Sequence, residues 1–257
     1  MVTKISVVTV AFNSDRTIVD TLHSVGAQDY DSVEYIVVDG ASTDRTIDIV
    51  KEQGDIVDIL ITGPDHGLYD AMNKGIRAAS GEVVGFLNSD DFYAGNRVIR
   101  EVAEFMDEQN LDACYGDLIY VNPKRTDRTM RYWRSGPPSS WAWGWHPPHP
   151  TFFCRRKIYE KYGCFNTKYS IAADYELMLR FMVKYKINVG YLPKILVHMR
   201  SGGKSNSLKG ILRANIEIIN AYRDNSLRYS PLLFFIKPTR KLLQFIHSSH
   251  LSESRSI

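Results

Sequence analysis

The sequence predicts an α/β fold with a mostly parallel, doubly wound sheet flanked by helices. Up to about residue 122, short β-branched runs such as Ile5–Val10 alternate with helical segments, the first carrying Ile18, Leu22 and Val25 at i, i+4 and i+7. Such alternation is typical of parallel strands joined by crossover helices. The 257 residues, 44% of them hydrophobic and 24% charged, are enough to bury a sizeable core.

The remaining elements are predicted from apolar periodicity and turn residues. Further strands are expected at Tyr35–Val38, Ile56–Ile61, Val83–Leu87 and Ala113–Val121. Further helices are expected after a cap at Ser42 or Thr43 with Asp44 in the first turn, at Tyr69–Ala79 and at Val98–Met106. Beyond residue 122 we expect a loop or lid at Pro137–Pro150, a helix at Asp174–Lys184, strands at Ile187–Leu192 and Ile195–Met199 broken by Pro193, and an amphipathic helix at Leu208–Arg223.

Charge and cysteine content narrow the function classes. A net charge of +3 is too small to argue for nucleic-acid binding. Three cysteines without a CxxC pair predict neither a disulfide framework nor a zinc site, so a reducing compartment is expected. The apolar start is short, unlike a signal peptide, and no apolar run approaches the ~20 residues that span a bilayer. We therefore expect a cytoplasmic protein.

The strongest chemical signal is the pair Asp90 and Asp91, directly after the buried run Val83–Leu87. Adjacent carboxylates repel each other, so the pair favours a divalent cation over an empty loop. In open α/β sheets, ligands bind at the carboxyl ends of the strands, where this pair would lie. A helix cap would need only one acid. The pair therefore indicates a metal that carries a diphosphate.

Other polar residues have a functional and a structural interpretation. Asp39 and Asp65 are either nucleotide-binding carboxylates or turn and capping residues; no GxGxxG or P-loop motif is present. Asp174 is either a helix cap or a general base kept ionised by the helix dipole. His149, in a proline-braced loop, is either a surface residue or a ligand for substrate or metal, and His198 is either a core residue or a late metal ligand.

Several segments together resemble the inverting family 2 glycosyltransferases. They are SVVTVAFNS, EYIVVDGASTDRT, DHGLYDAMNKGIRAASGEVVGFLNSDD, HPTFF and AADYELMLR, in the order that the family has them. The resemblance is dense over residues 4–92. Within the family, the sequence most resembles bacterial enzymes that build O-antigen, capsule and exopolysaccharide. It implies a GT-A fold with a Rossmann-like sheet. Residues 1–205 would form that domain, 1–122 its nucleotide-binding half and 123–205 its acceptor and catalytic half, followed by a helical extension, 206–257.

The resemblance also implies roles for matching positions. Asp174 matches the catalytic base, and Asp90 and Asp91 match the motif that binds Mn²⁺ or Mg²⁺ and the donor diphosphate. The positions implied on the nucleotide-sugar side are Thr9, Ala11, Asn13, Asp39, Asp65, Asn73, Asn88 and Asp90. Two positions depart from the family pattern. Asn88 replaces an acid and adds no charge, and Ala173 replaces the acid before the base.

The implied reaction is metal-dependent transfer of a hexosyl or N-acetylhexosaminyl group, with inversion, from a nucleotide-sugar, by family tendency a UDP-sugar. The acceptor would be a glycan or a polyprenyl-diphosphate-linked hydroxyl in surface polysaccharide synthesis. Trp143 and its neighbours either form an acceptor wall with His149 or pack in the core. The basic, apolar tail, Leu232–Ile246, suits either peripheral contact with the inner face of the membrane or packing on protein.

Two rival functions remain open at this point. A sugar nucleotidyltransferase would use the same kinds of ligand, but it usually opens with a glycine-rich loop, and Ala11–Arg16 contains no glycine. A degenerate sugar-nucleotide-binding protein would be consistent with Asn88 and Ala173. Retention of Asp90, Asp91 and Asp174 argues against that second rival.

Overall fold

The computed structural model describes residues 2–141, 144–202 and 208–230. Within these ranges, nine strands form one sheet in the order β3-β2-β1-β4-β8-β6-β9-β5, with β7 paired to β6. The strands are β1 Ile5–Ala11, β2 Val33–Asp39, β3 Ile59–Thr62, β4 Val83–Phe86, β5 Phe92–Tyr93, β6 Ala113–Val121, β7 Thr129–Trp133, β8 Phe153–Arg155 and β9 Val189–Arg200. The helices are α1 Ile18–Gly26, α2 Thr46–Glu52, α3 Leu68–Ala78, α4 Val98–Glu108, α5 Arg156–Tyr162, α6 Ala173–Leu179 and α7 Leu208–Asp224.

The first four strands confirm the predicted parallel sheet. β1 pairs in parallel with both β2 and β4, and β2 pairs in parallel with β3. The carboxyl ends of these strands therefore meet at one edge of the sheet. The second half is mixed, because β8 runs antiparallel to β4 and β6, and β5 runs antiparallel to β9.

The sheet separates two apolar cores. One core lies against α3, α6 and α7, and the other lies against α1 and α4. Helix α3 packs especially close to β1 at Gly75, where an added Cβ would lie 2.3 Å from a methyl carbon of Val8. Helix α7 is part of the first core through Ile218, Ala221 and Tyr222. The predicted domain boundary at residue 205 remains a prediction.

Two local predictions were wrong. Pro193 does not break the last strand, because β9 is continuous and Pro193 lies exposed where the β6–β9 register shifts between Tyr115 and Asp117. A bulge of this kind tolerates a residue without a backbone N–H. Helix α2 begins at Thr46, so neither Ser42 nor Thr43 caps it. The Asp44 carboxylate lies before the helix and accepts from the Thr46 N–H at 2.9 Å.

Helix α6 was predicted correctly, with an unforeseen end. It covers Ala173–Leu179 and continues as a π-helical turn, Arg180–Lys184. The expected i, i+4 pair is present, with Arg180 Nε 2.9 Å from Glu176 Oε1. In the part of the chain that the structure describes, no helix is both long enough and apolar enough to cross a bilayer.

Candidate functional site

The loops after β1 and β2 are held together by side chains. Asn13, with a φ of 51°, accepts at its Oδ1 from the Thr43 N–H at 2.9 Å, and its own N–H donates to Ser42 Oγ at 2.8 Å. The Asp39 carboxylate accepts from the Ser42 N–H at 2.8 Å and from the Ser42 hydroxyl. Asn13 and Asp39, both predicted site residues, are thus parts of one polar cluster at the strand ends.

Asp65 joins this cluster across Gly40. A Cβ added to Gly40 would lie 2.4 Å from Asp65 Oδ2 and 3.6 Å from a ring carbon of Phe12. The Asp65 carboxylate therefore packs over the backbone that follows Asp39, and the Gly67 N–H fixes it at 2.8 Å from Oδ1. The Phe12 ring is 62% exposed beside them. Sequence reasoning missed Phe12, although an exposed aromatic at a strand end is a platform for a planar base.

Three further predicted residues are buried. The Thr9 side chain is fully buried and hydrogen bonds to Tyr35 at 2.9 Å, and Ala11 is buried with its carbonyl accepting from Gly40 N. The Asn73 amide donates to the Phe165 carbonyl and accepts from the Phe165 N–H, each at 2.9 Å. All three residues face the interior, and their predicted roles on the nucleotide-sugar side stay predictions.

Asp90 and Asp91 lie in different surroundings. Asp90 is exposed, whereas Asp91 is fully buried. The two Asp91 oxygens accept from Asn88 Nδ2 at 3.1 Å and from the Arg200 N–H at 3.2 Å. Burial raises the pKa of the Asp91 carboxyl well above its usual range, and the Asp90 charge adds to this. The predicted pair therefore divides: Asp91 faces inward and is held by protein donors, whereas Asp90 faces solvent, and the role of both residues as metal ligands stays a prediction.

Arg200 completes this corner and was missed by the sequence analysis. Its side chain is 7% exposed at the end of β9, and it donates to the Asp90 carbonyl at 2.6 Å and to the Asp20 carboxylate. Its guanidinium carbon lies 5.3 Å from the centre of the Phe92 ring. No local pattern signals these contacts, because Arg200 is 110 residues from Asp90 along the chain.

His198 lies beside the same corner. It pairs with Phe92 in the β5–β9 ladder, and the two rings meet edge to face at 5.2 Å. Among the described residues, no group of three or more His, Cys, Asp and Glu side chains is arranged to hold a metal. The role of His198 as a late ligand stays a prediction.

Two oxygen ligands at the end of β4, from Asn88 and Asp90, do fit a hard cation. The Asn88 Oδ1 atom is buried and has no hydrogen-bond partner within the described structure, and Asp90 presents an exposed carboxylate nearby in sequence. Mg²⁺ is typically held by one or two carboxylates, with water and substrate phosphate supplying the rest. Asp90 and Asn88 match such a sparse oxygen site.

Asp174 is linked to helix α3 through Tyr69. It lies in the first turn of α6, half-buried, and its Oδ1 accepts from the Tyr175 N–H at 2.8 Å and from the Tyr69 hydroxyl at 3.2 Å. Tyr69 belongs to the first turn of α3, four residues after Asp65. His149 stacks on Phe86 at 5.6 Å, and burial lowers its pKa while the Asp174 charge opposes this.

The aromatic loop is largely core. Trp141 and Trp145 are buried, and the Trp141 ring meets Tyr175 edge to face at 5.1 Å. These two residues do not form an open wall. Trp143, the residue predicted to face an acceptor, lies outside the described residues.

Comparison with solved structures identifies the fold as the GT-A fold of nucleotide-diphospho-sugar transferases. Staphylococcus aureus TarS, residues 1–349 in complex with UDP-GlcNAc, has a TM-score of 0.64 at 21% identity over 84% of this chain and 67% of its own. The mannosyltransferase PcManGT of Pyrobaculum calidifontis, in complex with GDP-Man and Mn²⁺, has a TM-score of 0.64 at 17% identity over 100% of this chain and 77% of its own. When this chain is compared with another TarS crystal structure, it spans 43% of that TarS chain.

The chain belongs to glycosyl transferase family 2, because residues 6–171 match that family. A PGL/p-HBAD biosynthesis glycosyltransferase of Mycobacterium bovis is 28% identical over 193 residues, 73% of each chain. The S. aureus poly(ribitol-phosphate) β-N-acetylglucosaminyltransferase TarS is 30% identical over 132 residues, 49% of this chain and 23% of its own. The protein is therefore a glycosyltransferase by family.

Proposed function

We propose that this protein transfers a hexosyl or N-acetylhexosaminyl group from a UDP-sugar to an acceptor hydroxyl with inversion. The observation that carries the proposal is the Tyr69 hydrogen bond to Asp174. This hydrogen bond joins Asp174, a carboxylate suited to proton abstraction, to helix α3, which begins three residues after Asp65. The similarity to the UDP-GlcNAc complex of TarS supports a UDP-linked donor.

The nucleoside would bind at the ends of β1 and β2. Phe12 offers an exposed ring for the base, and the half-buried Asp65 carboxylate is suited to accept hydrogen bonds from base or ribose donors. The Asp39 carboxylate is buried and bound by Ser42, and it would accept from the nucleoside through its remaining lone pairs. The Asn13 side chain holds the two loops in register. The buried hydrogen bond between Thr9 and Tyr35 would tie β1 to β2.

The diphosphate would lie at the end of β4. Asp90 and the unpartnered Asn88 oxygen would hold Mn²⁺ or Mg²⁺, which supplies positive charge to the leaving nucleoside diphosphate. The PcManGT complex with Mn²⁺ supports this assignment. Arg200 fixes the Asp90 backbone and would add a cation to the same corner.

Asp174 would remove the proton from the acceptor hydroxyl as that oxygen bonds to the anomeric carbon. Attack on the face opposite the diphosphate inverts the configuration and needs no covalent sugar–enzyme intermediate. Tyr69 and the Tyr175 N–H each donate to Asp174 Oδ1, whereas Oδ2 accepts no hydrogen bond within the described structure. The His149 ring, which stacks on Phe86, would line the acceptor side.

The test is a thermal-shift panel of nucleotide-sugars with Mn²⁺, followed by UDP release from the best binder. Asp174→Asn should lower UDP release about a hundredfold or more, while the UDP affinity stays within about twofold. Full activity in Asp174→Asn would refute the base assignment. Binding without turnover in the unmodified protein would favour the rival, a sugar-nucleotide-binding protein without catalysis.

The acceptor is proposed to be a glycan or a polyprenyl-diphosphate-linked sugar in bacterial surface polysaccharide synthesis. The relatives' names, a poly(ribitol-phosphate) β-N-acetylglucosaminyltransferase for TarS and a PGL/p-HBAD biosynthesis glycosyltransferase for the M. bovis protein, support a polymeric or biosynthetic acceptor of this kind. An enzyme with such an acceptor would work at the inner face of the membrane. Helix α7 exposes Ile211, Leu212 and Ile216 beside the basic Lys209, which suits an anionic bilayer surface.

Membrane contact is testable by flotation with phosphatidylglycerol-containing vesicles, with phosphatidylcholine vesicles as the control. The full chain should float with the anionic vesicles, and removal of residues 231–257 should reduce that fraction. The reason is that the tail carries Lys237, Arg240 and Lys241 among apolar residues. Unchanged flotation after truncation would show that the tail does not contribute.

A further inference from the structure

The carboxylate of Glu217 binds the backbone that leads into α6. Glu217 lies in α7 with 7% of its surface exposed. Its oxygens accept from three consecutive N–H groups, those of Ser170 at 3.1 Å, Ile171 at 2.9 Å and Ala172 at 2.9 Å, and from the Ser170 hydroxyl at 2.8 Å. One side chain of a later helix therefore fixes three successive peptide groups.

These hydrogen bonds offset the cost of burying a charge. Burial acts to raise the pKa of Glu217, but the hydrogen bonds from Ile171, Ala172 and Ser170 lower it below its usual value. Arg213 adds an ion pair one turn earlier, with its Nε 3.2 Å from Glu217 Oε1. Glu217 is thus held ionised, as a carboxylate that accepts several N–H bonds should be.

Helix α6 has no capping side chain of its own. Ala172 occupies the cap position and offers no side-chain acceptor. The Ile171 peptide is instead held from both sides, because Glu217 accepts from its N–H and the Tyr69 hydroxyl donates to its carbonyl at 2.7 Å. Asp174 follows three residues later and shares the same Tyr69 hydroxyl.

We propose that Glu217 is a positioning residue for the proton-accepting carboxylate of Asp174. By fixing residues 170–172, it sets where α6 begins and therefore where its first turn presents Asp174. Glu217 touches neither donor nor acceptor in this proposal; it acts through the backbone. The inference rests on the proposed transferase function.

Asp224 offers a matched control. It lies in the same helix, and its carboxylate accepts from the Tyr169 hydroxyl and pairs with Lys168. It therefore ties α7 to the same segment without touching the peptides of residues 170–172. Asp224→Asn and Glu217→Gln each remove one negative charge from α7. The two variants differ in the group that loses its acceptor, which is the Tyr169 side chain in the first and the backbone of residues 170–172 in the second.

The experiment compares both variants with the unmodified protein for UDP release from the UDP-sugar that the thermal-shift panel identifies. Glu217→Gln should lower kcat about tenfold or more, with the KM for the UDP-sugar and the affinity for UDP within about twofold. Hydrogen exchange at residues 170–172 should become faster. Asp224→Asn should keep kcat within about twofold of the unmodified protein and leave exchange at residues 170–172 unchanged.

The outcomes are separable. If exchange at residues 170–172 rises in Glu217→Gln while kcat is unchanged, the residue is structural only and the inference is overturned. A parallel loss of kcat and UDP affinity would also overturn it, because that pattern reports general loosening. If Glu217→Gln does not fold, Glu217→Asp keeps the charge on a shorter stem, and an unchanged kcat in that variant overturns the inference. Absence of UDP-sugar turnover in the unmodified protein would instead refute the proposed function.

Discussion

Asp90 and Asp91 show how far two adjacent identical residues can differ. Asp91 is enclosed, with each oxygen taken up by a protein donor, Asn88 on one side and the Arg200 backbone on the other. Asp90 has no such enclosure and faces solvent. The two residues should therefore fail in different ways when their charge is removed.

Asp90→Asn should weaken Mn²⁺ binding about tenfold or more with little change in stability, because it removes an exposed carboxylate ligand. Asp91→Asn should lower the free energy of unfolding by about 1–3 kcal/mol, because its amide would direct N–H groups at the donors Asn88 or Arg200. Free Mn²⁺ measured by electron paramagnetic resonance, together with urea unfolding, checks both. Normal stability with lost Mn²⁺ binding in Asp91→Asn would contradict this division.

At the scale of elements, the site depends on loops that approach one another after parallel strands. The loop after β2 and the loop after β3 meet where Asp65 packs over Gly40. The polar residues after each strand could be predicted from the sequence, because the end of each apolar run marks the end of a strand. The requirement for glycine at position 40 could not, since it arises from a side chain 25 residues later.

Gly40→Ala should weaken UDP binding about fivefold or more, because the new methyl group would displace the Asp65 carboxylate that lies 2.4 Å away. Gly95→Ala is the matched control, since an added Cβ there meets nothing within 4 Å. Isothermal titration with UDP compares the two. Equal affinity in both variants would show that the position of Asp65 does not matter for the nucleotide.

At the scale of the whole molecule, distant segments complete a site that the first half begins. The parallel half of the sheet and the order of the site residues along it follow from local patterns, and both were predictable. Arg200 and Glu217 were not, because their partners lie 109 and 45 residues away, at Asp91 and Ala172. The double hydrogen bond of Asn73 to Phe165 was hidden for the same reason, at a separation of 92 residues.

Because α7 packs in the core, we expect the chain to tolerate truncation after α7, at residue 230, but not before it, at residue 205. A chain ending at residue 205 loses the buried Ile218, Ala221 and Tyr222 and leaves the N–H groups bound by Glu217 without that acceptor. We expect its melting temperature to fall by 10 °C or more, on the order of several kcal/mol. A chain ending at residue 230 keeps these contacts. Differential scanning calorimetry that found the two truncations equally stable would contradict the role given to α7.

The hydrogen bond between the Arg200 N–H and Asp91 cannot form until late in the synthesis of the chain. A ribosome finishes β1 to β4, and with them the polar cluster of Asn13 and Asp39, long before it makes β9. Until residue 200 has emerged, the end of β4 lacks the backbone donor and the guanidinium that seat Asp90 and Asp91. From the synthesis of Asp91 until that of Arg200, the nascent chain thus carries an incomplete corner around Asp90 and Asp91, which closes only when β9, the last of the described strands, is added.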